Sequence, residues 1–182
     1  VKFDPDNDKI VRVYRFDKGD PGKALNNYVT FTCQERSGKL WAGTTERGIH
    51  YLDPATGQFD TYSHHPDDPS SLCSNLVAHV METDRGEIWI GGHMDGGISI
   101  FDREKNNFKR LKHDPNDPSS LNSNDTIALF QGRSGITWAG ATTGGASYYV
   151  PQKEEFLHLL DGNDLPGGVT CNDVRSILAD LK

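Results

Sequence analysis

Lys39-Leu40-Trp41-Ala42-Gly43-Thr44, Glu87-Ile88-Trp89-Ile90-Gly91-Gly92 and Ile136-Thr137-Trp138-Ala139-Gly140-Ala141 are three versions of one segment. Each follows a turn ending in glycine (Ser37-Gly38, Arg85-Gly86, Ser134-Gly135) and precedes a second glycine turn (Gly48, Gly96-Gly97, Gly144-Gly145). The tryptophans fall 48 and 49 residues apart, so the chain repeats one unit. Every other feature is therefore read inside that unit.

Aligned on tryptophan, each unit holds four strand-like runs. The first is 28–34, 76–82 and 125–131, and it returns at 173–179. In the middle copy Val77 and Met81 lie on one alternating face and Leu76, Ala78 and Val80 on the other. A strand apolar on both faces is sandwiched between layers. The second run carries the tryptophan, and the third is 48–53, 97–102 and 145–150. The fourth, 58–62, 107–111 and 155–159, is the most polar, as an outer strand facing water should be. Asp53–Gly57 and Asp102–Asn106 read as hairpin turns. The units join through His64–Leu72 and His113–Leu121, whose Pro and Asx residues bar helix and ladder alike. Such a connector crosses from an outer strand to the next inner one.

Four antiparallel strands in each unit, with both sheet faces buried, describe the blade of a β-propeller. The expected organisation is all-β, one propeller segment over 1–182. Residues 1–16 supply the outer two strands of a blade, 26–63, 74–112 and 123–160 three whole blades, and 172–182 the first strand of another. The chain thus reads as a piece of a longer propeller. Partial blades at both ends imply self-association, two copies completing each other's composite blade through their exposed faces.

Formal net charge is −7, with acidic and basic residues interspersed, which disfavours a nucleic-acid partner. No apolar run reaches the ~20 residues of a membrane helix, so no membrane contact is expected of this segment. Three cysteines, Cys33, Cys73 and Cys171, sit where no pair comes within disulfide reach.

The pattern Leu72-x-Ser74-Asn75-x-Val77, then Asp84-x-Gly86-x-Ile88-Trp89-Ile90-Gly91, then Gly96-Gly97-Ile98-x-x-Phe101-Asp102 resembles the two-component regulator propeller repeat. Residues 25–53 and 121–150 match it more loosely, and 169–181 matches its first half. Thr137, Ala141, Glu46-Arg47 and Ala146 depart from it. The resemblance implies the sensor region of a bacterial hybrid histidine kinase or diguanylate cyclase. It also implies a periplasmic location in a protein anchored in the inner membrane, and ligands such as oligosaccharides. No output domain lies within these residues.

Propellers bind at the face bearing the blade connectors and the loops between second and third strands. Those loops place Thr45, Glu46 and Arg47, then His93, Met94 and Asp95, then Thr142 and Thr143 as candidate ligand contacts. Arg47 could clamp a carboxylate or sulfate, and Asp95 could accept from sugar hydroxyls. Trp41, Trp89, Trp138, Gly43, Gly91 and Gly140 read as blade-packing residues, and Asn27, Asn75 and Asn124 as turn ties. His64 and His113 occupy equivalent places in successive connectors, a blade apart, so no metal site is expected there. His79 reads as a core or channel-lining histidine. Asp4–Asp8 mimics the start of a calcium loop, but Arg15 stands at its twelfth position, which leaves a hairpin turn. No catalytic motif and no cofactor signature is present. The rivals to a ligand-sensing segment are a streptogramin-lyase-like or glycan-cleaving propeller, using His93, Glu46 and Asp95, and a protein-binding scaffold.

Overall fold

The tryptophan segments become the second strand of three four-stranded antiparallel sheets in the computed structural model, which describes residues 2–14, 28–159 and 173–177. Among these residues all regular structure is β. A two-stranded hairpin, β1 (Lys2–Asp4) and β2 (Lys9–Arg12), comes first. The first sheet holds β3 (Val29–Gln34), β4 (Leu40–Thr44), β5 (Ile49–Leu52) and β6 (Phe59–Tyr62). The second holds β7 (Val77–Glu82), β8 (Ile88–Gly92), β9 (Gly97–Asp102) and β10 (Asn107–Leu111). The third holds β11 (Thr126–Gln131), β12 (Thr137–Ala141), β13 (Ala146–Val150) and β14 (Glu155–Leu159). Strand order follows the chain in every sheet. The sheets meet along their inner strands, β3 and β4 against β7, and β7 and β8 against β11. This is the arrangement of propeller blades.

Each inner strand slips register after its first residue, between Val29 and Phe31, Val77 and His79, and Thr126 and Ala128. One extra residue there twists the strand so that the next sheet can lie flat upon it. Close approach is then possible only over glycine. A Cβ on Gly43 would lie 2.5 Å from Val77 Cγ1, one on Gly91 2.8 Å from Thr126 O, and one on Gly140 2.6 Å from Val174 O. Val174 also donates its N–H to Ala141 O at 2.8 Å, although residues 173–177 form no strand. At the other end of the chain, Arg12 and Tyr14 reach the Thr56 and Pro54 carbonyls of the β5–β6 turn.

Two apolar clusters fill the spaces between sheets. Trp41 and Ile49 meet Val77, Ile88, Ile90, Phe101 and Phe108, while Trp89 and Ile98 meet Leu129, Ala139 and Phe156. Trp41 stacks on Tyr51 at 4.3 Å and takes the edge of Phe101 at 5.1 Å. Trp138, on the outward side of the third sheet, is only half-buried.

The connectors are closed by their own side chains. Asn75 and Asn124 accept the His64 and His113 amides at 2.7 Å. The imidazole Nδ1 atoms of those histidines bond the Leu72 and Leu121 carbonyls at 2.7 and 2.6 Å. Both rings are thereby committed to the loop, each in its own connector. Connector carbonyls of Ser70 and Ser119 also accept from Phe108 and Phe156, fastening each connector along the next outer strand. Asn27 lies outside the described residues.

One seam holds a buried charge. Glu35, 2% exposed, accepts from Trp41 Nε1 at 3.1 Å, Tyr51 hydroxyl at 2.8 Å and Arg103 at 2.7 Å, besides the Ser37 hydroxyl. Burial opposes ionisation, but these donors outweigh it and bring the carboxyl from 4.5 down to about 2. Arg103 belongs to the second sheet, so the pair ties two blades.

Trp89→Ala should cost about 3–5 kcal/mol in urea unfolding, and Trp138→Ala clearly less, because less of its surface leaves water on folding. Equal losses would mean that the third sheet is covered as the second is. Glu35 adds a pH dependence. Its lowered pKa makes its contribution complete at neutral pH and lost as pH falls from 4.5 towards 2. Glu35→Gln should lower stability at pH 7 by about 1–3 kcal/mol and flatten the acid limb of the melting profile. An unchanged acid limb in the variant would contradict this role.

Candidate functional site

Antiparallel order puts the β4–β5, β8–β9 and β12–β13 loops at one end, together with the ends of the connectors. Backbone bonds fix these loops to the strands beneath them. Thr45 N–H reaches Tyr28 O at 3.2 Å, His93 N–H Leu76 O at 3.0 Å, and Thr142 N–H Asp125 O at 3.4 Å. Gly48 N–H also crosses to Asn75 O at 2.9 Å, tying the first loop to the next connector, and Gly97 does the same to Asn124.

The second and third loops come together on Asp125, the first residue after the connector Asn124. One carboxylate oxygen of Asp125 faces His93 Nδ1 and accepts the Met94 amide at 3.0 Å, and the other takes the Thr142 hydroxyl. His93 rises from the second sheet, whereas Asp125 and Thr142 belong to the third, so the cluster spans a blade seam. Burial resists ionisation of Asp125, yet the Thr142, His93 and Met94 hydrogen bonds hold its carboxyl below the usual range. The His93 side chain is 38% exposed. Met94 is 75% exposed at the loop tip, and both Met94 and Asp95 have positive φ, 53° and 65°. Two successive non-glycine residues in that region are a local strain of the kind that collects at functional sites.

The other anticipated residues are held separately. Arg47 N–H bonds Thr44 Oγ1 and its carbonyl takes the Ser63 hydroxyl, within the first sheet. Burial, with the nearby Arg47 charge adding to it, pushes His50 down to about 4. Asp95 is paired with Lys112, whose Nζ bonds the Asp95 carbonyl at 2.9 Å and lies 3.6 Å from the carboxylate. Glu46 and Thr143 are exposed. The acid–base set His93, Glu46 and Asp95 is not assembled: the partner of His93 is Asp125, Asp95 answers to Lys112, and Glu46 stands on the first sheet's loop. Asp125 was legible only by aligning the units, where an acid stands in place of Tyr28 and Leu76.

A second concave surface runs down the inner strands, about 540 Å3, with Phe31, Cys33, His79, Met81, Leu129 and Phe130 along it. His79 stacks on Phe31 at 4.0 Å and its Nδ1 accepts the Leu129 amide at 3.4 Å. Burial lowers its pKa, so the ring is neutral and serves the packing of the axis. Among the described residues no three His, Cys, Asp or Glu side chains are grouped to hold a metal.

No family model matches the chain, and no curated protein does. Solved structures do. The extracellular domain of the hybrid two component system BT3049 from B. thetaiotaomicron superposes with TM-score 0.66 and 26% identity, over 74% of this chain and 18% of that one. The corresponding domain of BT4673 from the same organism gives 0.65 and 18% identity, over 87% and 20%. Virginiamycin B lyase from Staphylococcus aureus gives 0.55 and 17%, over 76% and 45%, a likeness of fold. The chain spans about a fifth of the length of the sensor domains. No helix among the described residues is long and apolar enough to cross a membrane. The chain is thus built like part of the extracellular domain of a two-component sensor, the family that its repeat resembles.

Proposed function

We propose that the chain is a non-catalytic, ligand-recognising part of the periplasmic domain of a bacterial two-component sensor. The observation that carries this reading is its 26% identity over 74% of the chain to the extracellular domain of such a sensor. The recognised compound is a small molecule or oligosaccharide, taken at the loop end by His93, Met94, Thr142 and their neighbours Thr45, Glu46, Arg47, Asp95 and Thr143. The parent protein is anchored in the inner membrane and carries the kinase or cyclase output. The strongest support for the site is local: two loops of different blades share one carboxylate there, and an apolar side chain stands exposed beside it.

Self-association belongs to this reading. Ile10, Val11 and Val13 in and beside β2 are 64%, 58% and 53% exposed, and a second copy would cover them. Light scattering at micromolar concentration should therefore report a dimer, and a well-behaved monomer would refute it.

An enzyme is the second reading, favoured by one feature alone, a histidine oriented by a carboxylate. Incubation with streptogramin B and with neutral glycans should leave both intact; turnover that disappears in His93→Ala would establish the enzyme instead. Thermal shift against neutral and acidic oligosaccharides tests recognition, because a ligand at 100 times its Kd raises stability by about 2.7 kcal/mol. A flat response across both sets would refute oligosaccharide sensing.

A further inference from the structure

Away from the loop end, the two connectors differ in one respect. Strand pairing sets Arg110 opposite Ser99 in the second sheet and His158 opposite Ser147 in the third, so Arg110 and His158 hold equivalent places. Arg110 grips the connector that precedes its sheet. Its Nη2 lies among four oxygens: Ser71 Oγ at 2.6 Å, Asp68 O at 2.7 Å, Leu72 O at 3.1 Å and His65 O at 3.3 Å. The guanidinium is thus the cation in an oxygen cage that the connector builds.

The next connector builds the same cage. Ser120 Oγ stands 2.7 Å from Asp117 O and 3.1 Å from Asp114 O, as Ser71 Oγ stands 2.9 Å from Asp68 O and 3.0 Å from His65 O. The Asp114 amide reaches Ser120 Oγ at 2.9 Å, as the His65 amide reaches Ser71 Oγ at 2.8 Å. His158 does not enter this cage. Its Nε2–H donates to Pro118 O at 3.1 Å and its Nδ1 lies 3.1 Å from Ser147 Oγ, which occupies both ring nitrogens. Among the described residues no cationic side chain bonds the second set of oxygens. Exposure follows the difference, since Ser71 is 7% exposed and Ser120 only half-buried. A hydroxyl has two lone pairs. Ser71 fills both, with the His65 amide and Arg110, whereas Ser120 fills one, with the Asp114 amide.

We infer that Ser120 Oγ and the carbonyl oxygens of Asp114, Asp117 and Leu121 bind a monovalent metal cation of potassium size, in the place that Arg110 Nη2 takes one unit earlier. The oxygens are uncharged and set around a centre 2.6–3.3 Å away in the first cage. Calcium and magnesium sit closer, at about 2.3–2.6 and 2.0–2.1 Å, and favour carboxylate ligands. Carbonyl cages that replace a hydration shell are a known way of holding potassium. One positive charge is also what the first cage accommodates, even with His64 Nδ1 3.4 Å from Arg110 Nη2. Nearby, the Asp114 and Asp117 carboxylates accept only from their own turns and keep the surroundings negative. Across the groove Lys112 is engaged by Asp95, while Lys109 is exposed beside the same connector.

Equilibrium dialysis of the whole chain against rubidium chloride, a potassium surrogate, tests this directly. In choline chloride of constant ionic strength the wild type should retain one rubidium ion, with half-saturation in the millimolar range. Ser120→Ala should weaken retention at least about tenfold. His158→Arg should supply the missing guanidinium and abolish retention, while raising the melting temperature in choline chloride. Circular dichroism confirms that both variants fold. Lys109→Ala should leave retention unchanged; an increase would assign the cage to the Lys109 ammonium and overturn the inference. Rubidium retained equally by folded His158→Arg, displacement by calcium at lower concentration than by potassium, or no retention by the wild type would each overturn it as well.

Discussion

The close approach of neighbouring sheets at Gly43, Gly91 and Gly140 governs the rest of the molecule. At these points the next segment of chain, β7, β11 or residues 173–177, comes so near that a β-carbon would lie 2.5–2.8 Å from it. Real Cβ atoms do not sit at such distances, so any other residue would wedge the sheets apart. Further out the gap widens, and large rings fill it: Trp41 between Tyr51 and Phe101, Trp89 beside Tyr149. Small residues at the axis and aromatic ones towards the rim make each seam a wedge, and wedges stacked on one another turn about an axis. The curvature of the fold is thus written in side-chain volume.

Packing of this kind is apolar and nearly the same at each seam, so it cannot distinguish one seam from the next. Polar groups do. Glu35 and Arg103 fasten the first seam at the end where the hairpin turns lie, and the His93–Asp125–Thr142 cluster fastens the second at the loop end. Both rely on the same physics, a carboxylate out of bulk water holding its charge because several donors surround it. Their settings differ. The Glu35 side chain is 1% exposed beneath Arg103, whereas that of Asp125 is 21% exposed beside His93.

Much of this was open to reading from sequence. Tryptophan spacing gave the unit, two-sided apolarity of residues such as Val77 and Val80 marked the inner strands, and the polar 107–111 run marked an outer one. Asn75 and Asn124 tie off connector amides as their position before an inner strand implied. What escaped was contact across seams. Glu35 and Arg103 are 68 residues apart, and His93 and Asp125 are 32 apart. No periodicity within a unit pairs them; they meet only because one sheet lies on the next. From sequence, Asp125 therefore reads as part of a strand run and not as a site residue. Residues 173–177 show the reverse case: Val174 occupies the place over Gly140 that Val77 has over Gly43, yet without a ladder of its own the segment is no strand.

The placement of the second seam's cluster bears on how recognition would reach the scaffold. His93 stands on a loop whose root, Gly97, bonds the connector at Asn124, and Asp125 is the next residue of that connector. A group touching His93 therefore acts on the junction itself, through one hydrogen bond to a carboxylate that also holds Met94 and Thr142. Any force on the ring is shared between two sheets. The first loop also reaches the next connector, but through backbone alone, Gly48 N–H to Asn75 O, while the Arg47 backbone bonds stay within its own sheet. Among the described loop side chains, His93 is the one that bonds across a seam, so a group engaging its ring would act on how tightly two sheets are held together.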